Sequence, residues 1–353
     1  MLTPLSRRFA LACLLAVVLA MPTAGAEPAS LKWIPADAAF YTVSLHNREQ
    51  LEALLNSKAV GRLKELPAYK LFIKKMEDEL AKPGSPLEQY RAFAKDPENQ
   101  QLVELAGDML SHEFFVYGGN SFVGSVDLVI DVFASVYAGA IVAQQAALGG
   151  APDDREMQRA ILEALAEKSE QIAIPELVIG FKLGNTSRAD AQLKRLDAVL
   201  KQAIKQSKEV KFTYKKVKIG GGDFYNLALD FKQFPWNELR LDRLEDQPGE
   251  FDKVKDRLKQ LTLSVNLGVR DDYLILAIGP SNAVLEKLGQ GPKLGDRDEL
   301  KPLAKHADKK IIALDYVSKA FNAKLSTTKE EIDNMMKEGK NLLQLADLPA
   351  DLS

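Results

Sequence analysis

Cysteine is almost absent from this chain: Cys13 is the single one among 353 residues. It lies inside an apolar run, Phe9 to Met21, that follows Arg7-Arg8 and precedes the small residues Ala24-Gly25-Ala26. That order is the layout of a secretory signal, with residues 1–26 removed by a cut after Ala26. At about 13 residues the run falls short of the roughly 20 that a retained spanning helix needs, so no stable transmembrane anchor is expected after cleavage. The twin arginine is followed directly by Phe9 and by nothing else of a folded-export signal, and Cys13 stands ahead of the cut rather than at it, which argues against a lipid anchor. The mature chain then carries no thiol. Disulfides, thiolate metal sites and cysteine nucleophiles are excluded, and a periplasmic or extracellular protein without them depends on its core for stability.

An excess of charge is missing too. Removal of the signal takes away two arginines and no acids, so the formal charge moves from −2 to −4. This near balance gives no reason to expect a nucleic-acid groove or an anionic-membrane patch. The short run Lys215-Lys216-Val217-Lys218 reads as the solvated side of a strand. Histidine is scarce, with only His46, His112 and His306, and no His-Glu-x-x-His pair is present, which excludes a helix-borne zinc protease. Aromatic residues make up 7%, and Trp33 and Trp236 stand apart in sequence, so a clustered sugar-binding platform is not expected. No metal and no cofactor is expected, and no catalytic residue is assigned.

What is present is a repeated local plan: an alternating strand, a polar capping residue, then a helix. In FYTVSLHNREQLEALL, Tyr41, Val43 and Leu45 share a strand face, Asn47 and Gln50 suit a helix start, and Leu51, Leu54 and Leu55 begin a helical stripe. In LVIGFKLGNTSRADAQLKRL, Leu177, Ile179, Phe181 and Leu183 alternate, Ser187 precedes Asp190 by one helical turn, and Ala189, Leu193, Leu196, Leu200 and Ala203 fall on one face of the helix that follows. YLILAIGPSNAVLEKLG and IIALDYVSKAFNAKL repeat the plan, with Ser281 and Ser318 as caps.

Hairpins lie between these units. Leu261 to Val269 alternates and turns at Arg270-Asp271-Asp272 into the continuously apolar Tyr273 to Ile278. Phe212 to Ile219 passes through Gly220-Gly221-Gly222 into Tyr225, Leu227 and Leu229, and a shift of apolar parity at Lys215-Lys216 suggests a bulge. The expected class is α+β: antiparallel or mixed sheets built from strand-cap-helix units with helices on one face, plus a helical N-terminal part. The expected divisions are a signal over 1–26, an α-rich part with short strands over 27–172, a sheet-rich domain over 173–325, and a C-terminal helical segment over 326–353. Within that last segment Lys329 to Leu345 is amphipathic, and either caps the domain or leads into further chain. Pro235 to Glu250 reads as a surface insertion, and Gln290 to Glu299 as a loop.

The opening WIPADAAFYTVSLHNREQLEALLNSKAV, with Pro35-Ala36-Asp37, together with LVIGFKLGNTSRADAQLKRL and YLILAIGPSNAVLEKL, resembles a family of exported bacterial proteins of unknown function, abundant in planctomycetes. In that family a Pro-Ala-Asp start introduces β-α-β-β modules. The resemblance covers most of the mature chain and implies an address and an architecture. It implies no catalytic residues.

One stretch has the setting of a chemical site. FFVYGGNSFVGSVDLVID, Phe114 to Asp131, runs strand, glycine turn, helix. A nucleophile elbow needs Gly-x-Ser-x-Gly, and here the second glycine arrives one residue late, at Gly124. A phosphate loop needs Lys-Ser/Thr after its second glycine, and Ser125-Val126 stands there instead. The expected reading of Gly118, Gly119, Asn120 and Ser121 is therefore a turn: the glycines supply left-handed backbone, Asn120 or Ser121 caps the helix and Gly124 allows close packing, with weak anion binding at the helix start as the chemical alternative. Asp127 and Asp131 interrupt the apolar helix that follows, which disfavours a membrane span.

The function expected from these residues is an exported, non-enzymatic scaffold or binding protein, whose partner is an envelope protein or polymer. Two alternatives stand beside it. One is an envelope hydrolase, for which Ser121, Asp127 and the three histidines are the starting points. The other is a carrier of an apolar ligand held between sheet and helices, which an internal apolar cavity of several hundred cubic ångströms would favour.

Overall fold

Eight strands form one sheet in a computed structural model that describes residues 27–126, 128–130, 132, 154–207, 210–306 and 309–325. They are β1 (Phe40–Ser44), β2 (Phe114–Gly118), β3 (Leu177–Lys182), β4 (Phe212–Ile219), β5 (Gly222–Asp230), β6 (Thr262–Arg270), β7 (Tyr273–Gly279) and β8 (Ala313–Val317). Their spatial order is β4-β5-β6-β7-β3-β2-β1-β8, and every pairing is antiparallel. The α+β class with an antiparallel sheet stands. The expected signal, the aspartates 127 and 131, and the segment 329–345 lie outside the described residues. The sheet itself crosses the division expected at 172/173, because β1 and β2 sit between β3 and β8.

Alternation sets the two faces. Tyr41, Phe115, Val178, Ile275 and Phe224 point to the first face. A 3₁₀ turn at Ala29–Trp33, the Val284-Leu285 pair and Leu288, Leu294 and Leu300 close it into the main core. Phe40, Val116, Ile179, Leu274, Leu276 and Leu267 point to the second face, where the long helices lie. Two buried polar groups support the first side. The Glu113 carboxylate accepts from the backbone N–H groups of Ala29 (3.1 Å) and Ser30 (2.9 Å), and the Ser30 and Tyr41 hydroxyls meet at 2.7 Å. A polar cluster of Asn226, Ser264, Asn266 and Asn282 joins β5 and β6 to the turn after β7.

The β4–β5 hairpin turns through Gly220 and Gly221, both at positive φ, as a two-residue turn between twisted strands requires. No bulge occurs at Lys215-Lys216: the register runs unbroken from Phe212 opposite Leu229 to Ile219 opposite Gly222. The parity shift has another cause. Tyr214 stacks on Tyr225 on the second face, while Val217 and Ile219 turn to the first.

The helices that matter below are α1 (Asn47–Leu55), α2 (Lys58–Glu65), α3 (Pro67–Leu80), α4 (Pro86–Ala94), α5 (Pro97–Met109), α6 (121–126), α7 (Asp154–Glu167) and α8 (Thr186–Gln206). Several caps differ from expectation. Asn185, not Ser187, accepts from the start of α8, through the Ser187 N–H at 2.9 Å. Asn47 lies inside α1, and its side chain meets Ser44 instead. Ser318 caps as expected, accepting from Phe321 N–H. Helices α1 to α4 bury no residue, and Leu51, Leu54 and Leu55, expected as a packing stripe, are exposed among the described residues.

Candidate functional site

The glycine turn is a join, made differently from the expected one. Neither Gly118 nor Gly119 has positive φ. Each is required by contact: a Cβ on Gly118 would overlap the Phe40 ring, and one on Gly119 would overlap the Glu176 carboxylate. Gly124, expected to allow close packing, has open space around it. Ser121 does not cap α6 through its hydroxyl; its Oγ accepts from Glu176 N–H at 3.0 Å, while Gly119 N–H donates to the Glu176 carbonyl at 2.9 Å. Asn120 contributes its carbonyl, which accepts from Val123 N–H. The carboxylate beside Gly119 belongs to the ion pair of Glu176 with Lys287 Nζ, at 3.1 Å. A protein carboxylate thus lies against the turn at Gly119.

Two of the histidines are engaged with carboxylates, neither of them at this turn. His46 Nδ1 meets Glu49 Oε1 at 3.2 Å, and His112 Nε2 meets Asp108 Oδ1 at 3.2 Å. His306 ends an exposed 3₁₀ turn, Lys301–His306. Among the described residues none of the three bonds to Ser121, and no group of three or more His, Cys, Asp or Glu is placed to hold a metal. Among the same residues no helix is long and apolar enough to cross a membrane.

The notable concavity lies on the second face. Helices α5 and α8 run side by side over β3, β7 and β6, and a cleft of about 470 Å³ opens beneath them. Its inner end is built from buried Leu105, Ala189, Leu193 and Leu274, with Met109 packed against them. Phe181, Leu267 and Leu276 floor it, and Phe93, Leu102, Leu196 and Val199 form its mouth. Those mouth residues are apolar yet open to solvent: Leu196 is 37% exposed and Val199 56%. Of the fifteen lining residues only Asn99, Gln192 and Arg195 are polar. The volume falls within the range of small-molecule sites.

The two helices are tied to each other by polar bonds. Arg188 Nε pairs with Glu104 at 3.1 Å, Gln192 Nε2 donates to the Glu98 carbonyl, and Asp108 accepts from the N–H groups of Gly184 and Asn185. Farther along α8, the Tyr214 hydroxyl donates to Asp197 Oδ1 at 2.9 Å, which fastens the helix to β4. The bond from Lys201 holds the Asp197 carboxyl below its usual range, with the Tyr214 bond adding to it, while burial and that same aspartate push the Tyr214 hydroxyl well up. Polar bonds therefore fasten the helices around a cleft whose lining is mostly apolar.

Sequence reasoning placed Leu193, Leu196, Ala189 and the β3 and β7 strands correctly as apolar, without showing that they enclose space. Nothing in the sequence singles out Arg195 among the charged residues of its helix. The aromatic trio of Phe231, Phe234 and Trp236 was also hidden: their rings pack at 5.1 to 6.3 Å, and Trp236 Nε1 donates to the Phe231 carbonyl. Their F-x-x-F-P-W spacing was the available signal. Compared with protein families, curated proteins and solved structures, the chain finds no match.

Proposed function

We propose that this is an exported, non-enzymatic binding protein whose ligand is apolar and occupies the cleft under α5 and α8. The observation that carries this reading is the cleft itself: twelve of its fifteen lining residues are apolar, and its apolar mouth faces water. Apolar side chains left open in this way at a concave surface gain by covering, and each methylene of a ligand that leaves water there contributes about 0.8 kcal/mol. The hydrolase alternative draws no support from Ser121, whose hydroxyl is taken up by the Glu176 backbone.

The test is binding of a naphthylamine dye to the mature protein, with solvent extraction to identify anything that copurifies. The expected result is a saturable rise in emission and a weakening of about tenfold in Leu196→Asp, because a carboxylate in an apolar mouth costs at least the ~1.4 kcal/mol that this factor represents. Leu196 is solvent-facing, so its replacement leaves the unfolding midpoint in place. Absence of both dye binding and extractable ligand, or equal binding by the variant, overturns the reading.

A further inference from the structure

Resting on the apolar-cleft reading, we infer that the ligand is a single-chain amphiphile with a small anionic head, and that Arg195 receives that head. Arg195 is the sole charged side chain among the described residues that line the cleft. It sits at the mouth, one helical turn beyond Gln192 and one before Val199, so a chain lying on the buried leucines would bring its head to the guanidinium.

The guanidinium is already oriented. Its Nη2 donates to Asn99 Oδ1 at 2.8 Å, and its Nε meets Glu98 Oε2 at 3.3 Å. Glu98 is 71% exposed, so this pairing is a solvent-screened one that contributes little. Nη1 carries no hydrogen bond among the described residues, which leaves one edge of the planar fork open. An oriented guanidinium suits carboxylate and phosphate oxygens, because its donors are fixed in one plane and less side-chain freedom is lost on binding. The neighbouring polar lining groups, Asn99 and Gln192, are amides, so the negative charge already at the guanidinium is that of the exposed Glu98, which an incoming anion must compete with. A cationic head would meet Arg195 with repulsion, and a neutral alcohol would forgo the charge-assisted bond.

The experiment uses three chain-matched ligands below their micelle concentrations: tetradecanoate, tetradecanol and tetradecyltrimethylammonium. A fourth, tetradecyl phosphate, distinguishes carboxylate from phosphate as the preferred head. Each is titrated into the mature wild-type protein, Arg195→Gln and Arg195→Lys, with dye displacement as the readout. The expected order for wild type is an anionic head about tenfold or more tighter than the alcohol, and the cation weakest. Arg195→Gln should bring the anion and alcohol to within about twofold of each other while leaving the alcohol affinity unchanged, and Arg195→Lys should restore part of the preference. The alcohol affinity is the folding control, since a collapsed cleft would lower it. Equal binding of anion, alcohol and cation by wild type, or an unaltered preference in Arg195→Gln, overturns the assignment while leaving the apolar cleft intact. Failure of all four ligands to bind removes both readings together.

Discussion

Glu113 shows how much one side chain can hold in place. It is 4% exposed, and both of its carboxylate oxygens are spent on the N–H groups of Ala29 and Ser30, which open the turn that covers the main core. Glu113→Ala would leave two buried donors without partners, at about 1–3 kcal/mol each. The expected outcome is a loss of about 2–4 kcal/mol in urea unfolding, with a smaller loss in Glu113→Gln, which keeps one acceptor. An Ala variant with the wild-type midpoint would show that the N-terminal turn is held by Leu31 and Trp33 alone. Beside it, burial pushes the hydroxyls of Tyr41, Tyr117 and Tyr273 far above the ordinary tyrosine value. The Tyr273 hydroxyl is buried beside the Glu113 carboxylate, which raises it further. A raised pKa means stability that is complete below the unfolded value near 10 and declines as pH climbs past it, by about 1.4 kcal/mol per pH unit for each tyrosine kept neutral. In an alkaline titration these three should therefore ionise only as the circular dichroism signal is lost, while exposed tyrosines ionise earlier; smooth ionisation of all of them in the folded state would contradict this.

Strand pairing follows a recurring arrangement of phenylalanine opposite glycine. Phe40 faces Gly118 across β1 and β2, Phe115 faces Gly180 across β2 and β3, and Phe224 faces Gly268 across β5 and β6. At Gly118 and Gly180 the ring lies where a Cβ would overlap it, and at Gly268 a Cβ would meet the Asp223 carbonyl first and then the Phe224 backbone and ring. An aromatic ring that covers a strand glycine restores the contact area the glycine lacks and pins the register. Gly180→Ala is expected to cost about 1–3 kcal/mol through displacement of Phe115. Gly124→Ala, on a helix with open space around it, is expected to be neutral or to stabilise by up to about 1 kcal/mol. Equal melting temperatures for the two variants would refute the role given to the rings. The elements themselves were legible because alternation and helical periodicity are local: the β6–β7 hairpin and the long helix after Asn185 can be read directly from residue spacing. The ring-over-glycine pairs were not, since Phe115 and Gly180 are neighbours only after two separate segments choose each other. The glycines at 118 and 119 invited a left-handed reading because glycine is the usual provider of that backbone, yet here steric access to a neighbouring side chain is what requires them. Arg195 and the cleft stayed hidden for a related reason: an amphipathic stripe says which side of a helix is apolar, and not whether the surface below it fills the gap.

At the scale of the molecule, the sheet divides the labour. Its first face carries the main core and the buried polar supports, and its second face carries the cleft under α5 and α8. A ligand that binds only the folded protein raises its apparent stability by mass action, so a saturating apolar ligand at 100 times its Kd should add about 2.7 kcal/mol. A thermal scan with and without ligand checks this, and an unmoved transition would argue that the ligand sits elsewhere. The order of the strands carries a different consequence. Strand β1, early among the described residues, is flanked on one side by β8, so Phe40 to Ser44 must wait for Ala313 to Val317 before both its edges are paired. Contacts so far apart along the chain slow the approach to the native state, and an open strand edge in the meantime is a template for sticking to other chains. A polypeptide stopped short of Ala313 should therefore clump during refolding, whereas one that includes β8 gains the last zipped seam and stays dispersed.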